Sequence, residues 1–182
     1  MATTGSDFNP QQTLALADIV HTAQAVETAI TRLSLDVSAK IADTNPIVIC
    51  VMNGGLVFAG QVLKQLSFPL QVDYIHASRY QNKKVGDDLS WYAMPRSDLT
   101  NRTVLLLDDI LDQGVTLHAI REKCLALGAK KVFSAVLVEK KLTRKSLMVV
   151  DFVGLEVPNR YVFGYGMDIH GWWRNLPAIY AI

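Results

Sequence analysis

The residues Val104-Leu105-Leu106-Leu107-Asp108-Asp109-Ile110-Leu111-Asp112-Gln113-Gly114-Val115-Thr116 pass from an unbroken aliphatic run, through three carboxylates and a glycine, into a helical pattern. An aliphatic run without polar alternation reads as a strand covered on both faces, the habit of parallel sheets flanked by helices. Val115 to Leu127 has helical spacing and stops at Gly128, a residue suited to the left-handed position that follows a helix. The stretch is therefore a strand, a tight turn and a helix, with Asp108 and Asp109 at the strand's end and Asp112 shortly after. Gly114 permits the turn. The amides of Asp112, Gln113, Gly114, Val115 and Thr116 then point outward as an anion cradle, with the positive end of the helix dipole behind them. The paired carboxylates, about one phosphosugar away, suit either the diol of a ribose or a Mg²⁺ ion, which prefers oxygen ligands. A sugar phosphate is the ligand these residue types imply.

Outward from this unit the same alternation recurs. Asn9-Pro10 is a helix cap with proline in the first turn, and Leu16, Ile19, Val20, Ala23, Val26, Ile30 and Leu33 predict one long amphipathic helix. A short second helix is expected over Leu35 to Ala42. Ile47 to Val51 is a compact apolar run opened by Pro46 and stopped by Asn53-Gly54-Gly55, and it predicts another buried strand. Leu56, Ala59, Leu63 and Leu66 form the next helical stripe. Further strands are predicted over Leu70 to His76, Val132 to Val138, Val149 to Val153, Tyr161 to Phe163 and Ala178 to Ala181. Alternating strands and helices build βαβ units, and ligands of such sheets bind beyond the carboxyl ends of the strands. Chemistry is thus expected after Val51, Leu107 and Val138. Arg79 to Asn101, with Lys83-Lys84, Gly86, Asp87-Asp88 and Pro95, follows no sustained period, and so long a connection is usually functional or mobile.

The chain has 182 residues, half of them hydrophobic and 19% charged, as expected for one globular domain without repeats or linkers. Eighteen Lys+Arg against 17 Asp+Glu leave a net charge of +1, which argues against nucleic acid or an anionic membrane as partner. Apolar runs such as Ile47 to Met52 fall far short of the roughly 20 residues of a membrane span. The residues Met1 to Asp7 carry no secretory pattern, and Cys50 and Cys124 read as small buried hydrophobes, so a reducing cytoplasm is expected. His21, His76, His118 and His170 are too scattered to make a metal site. Neither G-x-G-x-x-G nor G-x-x-x-x-G-K-[ST] is present.

The Val104 to Thr116 stretch resembles the phosphoribosyl pyrophosphate (PRPP) signature of type I phosphoribosyltransferases: apolar run, acidic pair, two apolar residues, acidic residue, x-Gly-x-Thr. Val51-Met52-Asn53-Gly54-Gly55, Ser78-Arg79-Tyr80, Leu137-Val138-Glu139-Lys140 and the segment Val157 to Asp168, with Arg174 after it, are similar to the hypoxanthine(-guanine) branch in the same order. The resemblance implies an α/β fold: a single domain over residues 1–182, with a central, mainly parallel twisted sheet flanked by helices and a small hood formed by terminal segments. It implies a lid at about residues 79–101, containing Arg79 and Tyr80. It further implies that Asp108 and Asp109 hold the ribose hydroxyls, that Asp112 is the general acid/base at purine N7, and that Asp112 to Thr116 bind the 5′-phosphate. Lys140 would meet purine O6, Tyr161 would stack on the base, and the Val162 backbone would read its edge. Asn53, Gly54 and Arg174 would receive pyrophosphate, and Asp168 would ligate Mg²⁺, with Asp108 and Asp109 as further candidates. The Met52-Asn53 peptide would be cis, and the assembly a homodimer or homotetramer.

Three positions depart from the family pattern. Asp108 stands where Glu is common, Asn53 where Lys is frequent and Arg79 where Ser is frequent. On its residues alone, the Lys140-Lys141 and Arg144-Lys145 run reads as a solvated turn. The same fold also serves nucleic-acid-binding regulators. These need a winged-helix addition or a basic RNA face, and neither is suggested by a first strand beginning at Ile47 or by a charge of +1.

Overall fold

The computed structural model describes residues 8–79, 89–142 and 146–182. In chain order the elements are α1 (Pro10–Leu16), β1 (Asp18–His21), α2 (Ala23–Ile41), β2 (Ile47–Met52), α3 (Gly55–Leu63), β3 (Gln71–Arg79), β4 (Leu89–Ala93), β5 (Thr103–Leu111), α4 (Val115–Ala126), β6 (Lys131–Lys140), β7 (Phe152–Val157), β8 (Val162–Phe163) and β9 (Ile179–Ala181). Six strands form one sheet in the order β4-β3-β2-β5-β6-β7. Every pairing in it is parallel except β3 with β4 at the edge.

The aliphatic runs behave as their lack of alternation requires. Val48 and Cys50 of β2, with Leu105 and Leu107 of β5, face α2 and α3, where they meet Ile30, Leu33, Val37, Phe58 and Val62. Their neighbours Ile47, Ile49, Val51, Val104 and Leu106 face the other way and pack with Leu117, Ile120 and Cys124 of α4. Each strand thus supplies two cores by its period of two. A second sheet of three antiparallel strands, ordered β1-β9-β8, joins the two ends of the chain as the expected hood. Val162, Tyr165, Met167, Ile179 and Ala181 from the hood region lie in the same buried cluster as α2 and β5, so one core runs through both sheets.

Several boundaries differ from the sequence reading. The long first helix is interrupted: Asn9 caps only α1, Ala17 is extended, and β1 intervenes before Thr22 caps α2 at the Ala25 amide. Leu16 and Ile19, counted in the helical stripe, are exposed. Pairing with β9 decides this segment, and a neighbour so distant in sequence leaves no local mark. The second helix expected over Leu35 to Ala42 is the continuation of α2 to Ile41. The strand expected over Val149 to Val153 begins later, at Phe152, and Val149 is 86% exposed. Within the stretch expected to be a lid, residues 89–93 form β4 against β3. Residues 80–88, including Tyr80, lie outside the described residues.

Candidate active site

Of the side chains singled out in the sequence, Asn53, Asp108, Asp109, Asp112 and Lys140 lie at the carboxyl ends of β2, β5 and β6. β5 runs on to Leu111, so Asp108 and Asp109 lie within the strand, and Asp108 pairs in register with Val136. Asp108 is buried, and its carboxylate accepts the Asp109 N–H at 3.0 Å. Burial, followed by the charge of Asp109, holds the Asp108 carboxyl well above the ordinary carboxylate range. Asp109 is raised as well, chiefly by burial, while hydrogen bonds from Asp108 and the Ile110 amide and the charge of Arg174 oppose the rise. Both carboxylates press in turn on the Cys50 thiol, which burial already raises and which reaches about 12. The protein alone therefore leaves this acidic pair short of compensating donors.

Beside the pair runs the turn after β2. The Met52-Asn53 peptide is cis. A Cβ on Gly54 would collide with the Asp109 carboxylate, and one on Gly55 would stand 2.6 Å from the Leu107 carbonyl oxygen. The start of α3 can lie this close to β5 only without side chains. Gly166, at φ 103°, caps the stack from the far side, because the place of its Cβ is taken by the Gly54 carbonyl oxygen.

Past β5 the chain turns at Gly114, whose φ of 77° lies in the left-handed region, and α4 begins at Val115. The Gln113 carbonyl accepts the Leu147 N–H at 3.0 Å, which ties this turn to the chain ahead of β7. Asp112 stands at its edge, half-exposed. Lys140, the last residue of β6, reaches across to place Nζ 3.3 Å from the Asp112 carboxylate.

The wall opposite is made by the segment between β8 and β9. Gly164 and Met167 exchange backbone hydrogen bonds around Tyr165-Gly166, and Ile169 and Trp172 do so around His170-Gly171. The central residues of both turns have positive φ, the signature of two-residue hairpins of type I′. Asp168 accepts the Gly171 N–H at 2.7 Å and pairs with Arg174 at 2.6 Å. Arg174 also donates to the Gly166 carbonyl at 2.7 Å. Tyr161 stands half-exposed at the start of this wall, its phenol raised by burial and by Asp168 and lowered by Arg174, and the Val162 beside it is buried.

A family model for the phosphoribosyl transferase domain matches residues 17–170. The chain belongs to the phosphoribosyltransferase family. It is 31% identical over 165 residues to the hypoxanthine-guanine-xanthine phosphoribosyltransferase of Tritrichomonas foetus, covering 90% of each chain. It is likewise 31% identical over 157 residues to the hypoxanthine-guanine phosphoribosyltransferase of Bacillus subtilis (strain 168), covering 86% of this chain and 87% of that one. A solved hypoxanthine-guanine-xanthine phosphoribosyltransferase superposes with a TM-score of 0.82 at 29% identity, covering 91% of this chain and 96% of the other.

In this phosphoribosyltransferase the structure brings together Asn53, Gly54, Asp108, Asp109, Asp112 to Thr116, Lys140, Tyr161, Val162, Asp168 and Arg174 at one end of the sheet. Arg79 closes β3, and its side chain lies outside the described residues. Gly166 was not anticipated as part of the site. Its signal was the Gly164-Tyr165-Gly166 spacing, which marks a hairpin and not a dinucleotide motif. Among the described residues, no three His, Cys, Asp or Glu side chains group closely enough to hold a metal unaided. No helix among them is long and apolar enough to cross a membrane. A cavity of about 460 Å³ between α2, α3 and the tail, lined by Glu27, Gln61, Gln65, Tyr165 and Asn175, contains none of the acidic residues at the strand ends.

Proposed function

We propose that this enzyme transfers ribose 5-phosphate from PRPP to N9 of a 6-oxopurine, hypoxanthine or guanine, giving IMP or GMP and pyrophosphate in purine salvage. The observation that carries the reading is the Lys140–Asp112 pair, a cation and a carboxylate 3.3 Å apart beside the phosphate cradle. O6 and N7 are neighbours on one edge of a 6-oxopurine, so the two groups match them as donor and proton acceptor. Tyr161 stacks on the base and the Val162 backbone reads its edge. The amides of Asp112, Gln113, Gly114, Val115 and Thr116 hold the 5′-phosphate, and Asp108 and Asp109 accept hydrogen bonds from the ribose hydroxyls.

As the bond between C1 and the pyrophosphate oxygen breaks, the ribose becomes cationic and the leaving group gains charge. Asp108 and Asp109 face the first change, while Arg174 and the Asn53-Gly54 backbone face the second, each fixed before the reaction begins. Asp112 takes the N7 proton as N9 attacks. The donor set fits Mg²⁺: Asp168, aided by Asp108 or Asp109, offers hard oxygens but too few for a cage, as suits an ion held mainly by substrate phosphates and water. Bound there, Mg²⁺ neutralises pyrophosphate charge. The enzyme works as a homodimer or homotetramer. The two buried, unpaired cysteines suit the cytoplasm.

Base discrimination tests the reading. Lys140 has only donors and meets an amino group on adenine, leaving both groups unsatisfied, a mismatch that can reject the wrong substrate by about 10⁴-fold. With PRPP and Mg²⁺, hypoxanthine or guanine should be converted while adenine is almost untouched. Lys140→Gln should narrow the gap mainly by losing 6-oxopurine activity. Comparable turnover of adenine by the unmodified enzyme would overturn the role given to Lys140.

A further inference from the structure

α1 has no buried residue, so burial in a core does not explain its position. Its contacts converge on the loop that carries Asp168 and Arg174. The Trp173 indole Nε1–H donates to the Pro10 carbonyl at 2.7 Å, and the Phe8 ring lies 4.6 Å from the His170 ring, tilted by 59°. Both loop residues touched in this way are non-glycine residues in the left-handed region, His170 at φ 52° and Trp173 at φ 67°. At His170 the type I′ hairpin between Ile169 and Trp172 already requires this conformation, whereas at Trp173 it persists only where surrounding contacts over-determine it. The N-terminal segment supplies a contact at each of the two.

We infer that Phe8 and the start of α1 form a clamp that positions the Asp168–Arg174 pair, with Trp173 and His170 as the positioning residues it acts through. Trp173 is bonded directly to Arg174, so a change at its strained backbone moves the guanidinium that pairs with Asp168 at 2.6 Å and holds the Gly166 carbonyl. The inference rests on the proposed function in placing pyrophosphate at this pair. The clamp should therefore govern the pyrophosphate end of the site and leave the purine end, at Lys140, unaffected.

The test compares Trp173→Phe, which keeps an aromatic ring and loses the N–H, with Phe8→Ala and the double variant, all in the full chain. Steady-state KM is measured for Mg·PRPP and for hypoxanthine, and calorimetric titration with Mg·pyrophosphate reads the same site without turnover. Each single variant is expected to raise KM for Mg·PRPP and Kd for Mg·pyrophosphate about 5-fold to 20-fold, with KM for hypoxanthine changed less than about twofold. The double variant should fall short of the product of the single effects, because both act through one segment. Unchanged Mg·PRPP and Mg·pyrophosphate parameters would overturn the clamp, as would equal losses for both substrates with a lowered melting temperature. If Trp173→Phe does not fold, Phe8→Ala alone decides on the same criteria. Failure of the unmodified enzyme to bind Mg·pyrophosphate would instead overturn the site assignment on which the clamp rests.

Discussion

Asp108 and Asp109 are successive residues of a strand, the first buried and the second partly so, and both carboxyls are raised. An acid raised by folding holds its proton at pH values where the unfolded chain, near 3.8, has released it. Asp108 therefore costs no stability below that pH and progressively more as pH rises towards its folded value. Asp108→Asn should raise the melting temperature by roughly a few degrees at pH 8, with the gain shrinking towards pH 4. The same change removes charge-assisted hydrogen bonds worth about 1.5–3 kcal/mol, so affinity for Mg·PRPP should fall by roughly tenfold to a hundredfold. Differential scanning calorimetry across pH and titration with Mg·PRPP measure the two effects. A variant that lost stability at pH 8 would show that the pair is not held at a cost for function. These carboxylates were legible in the sequence because a polar pair ending an aliphatic run is rare without a purpose. The Asp168–Arg174 pair was legible only through resemblance, since its geometry depends on two hairpin turns.

At the scale of elements, the strands and helices around the parallel sheet announced themselves through aliphatic runs and stripes. The hood did not. β1 and β9 are short, and Ile19 is exposed, so nothing local separates β1 from the helices beside it. The hairpin at Gly164 to Met167 shows what such missed elements do, since Gly166 lies against the Gly54 carbonyl and receives Arg174 on its own carbonyl. A side chain at residue 166 would bring both a strained φ of 103° and a collision with backbone that cannot move aside. The left-handed conformation alone costs roughly 1–2 kcal/mol for a non-glycine residue. Gly166→Ala should thus lower stability by at least about 2 kcal/mol, read from the midpoint of urea unfolding, and should weaken Mg·PRPP binding more than hypoxanthine binding. A variant of unchanged midpoint would show that the hairpin does not press on the turn after β2.

For the whole molecule, the question is whether hood and main sheet are one cooperative unit. Hood-side residues Val162, Tyr165, Met167, Ile179 and Ala181 share a buried cluster with α2, α3 and β5, and Arg160 pairs with Asp18 at 2.7 Å across the terminal sheet. No apolar boundary separates two cores, so the hood has no independent means of burying its inner face. Calorimetry should give a single unfolding transition with equal calorimetric and van't Hoff enthalpies. The site adds a second constraint, because its residues come from the turn after β2, the ends of β5 and β6, and the segment leading into β9. A ligand bridging these elements binds only when all are assembled, and at a hundred times its dissociation constant it stabilises the native state by about 2.7 kcal/mol. For a chain of this size that corresponds to a rise of roughly 5–11 °C in melting temperature. Mg·PRPP should move the one transition upward as a unit, and the shift should largely vanish when Asp108 and Asp109 are both replaced by Asn. Two transitions, with only the later one moved by Mg·PRPP, would mean that the hood melts separately and that the ligand does not join it to the sheet.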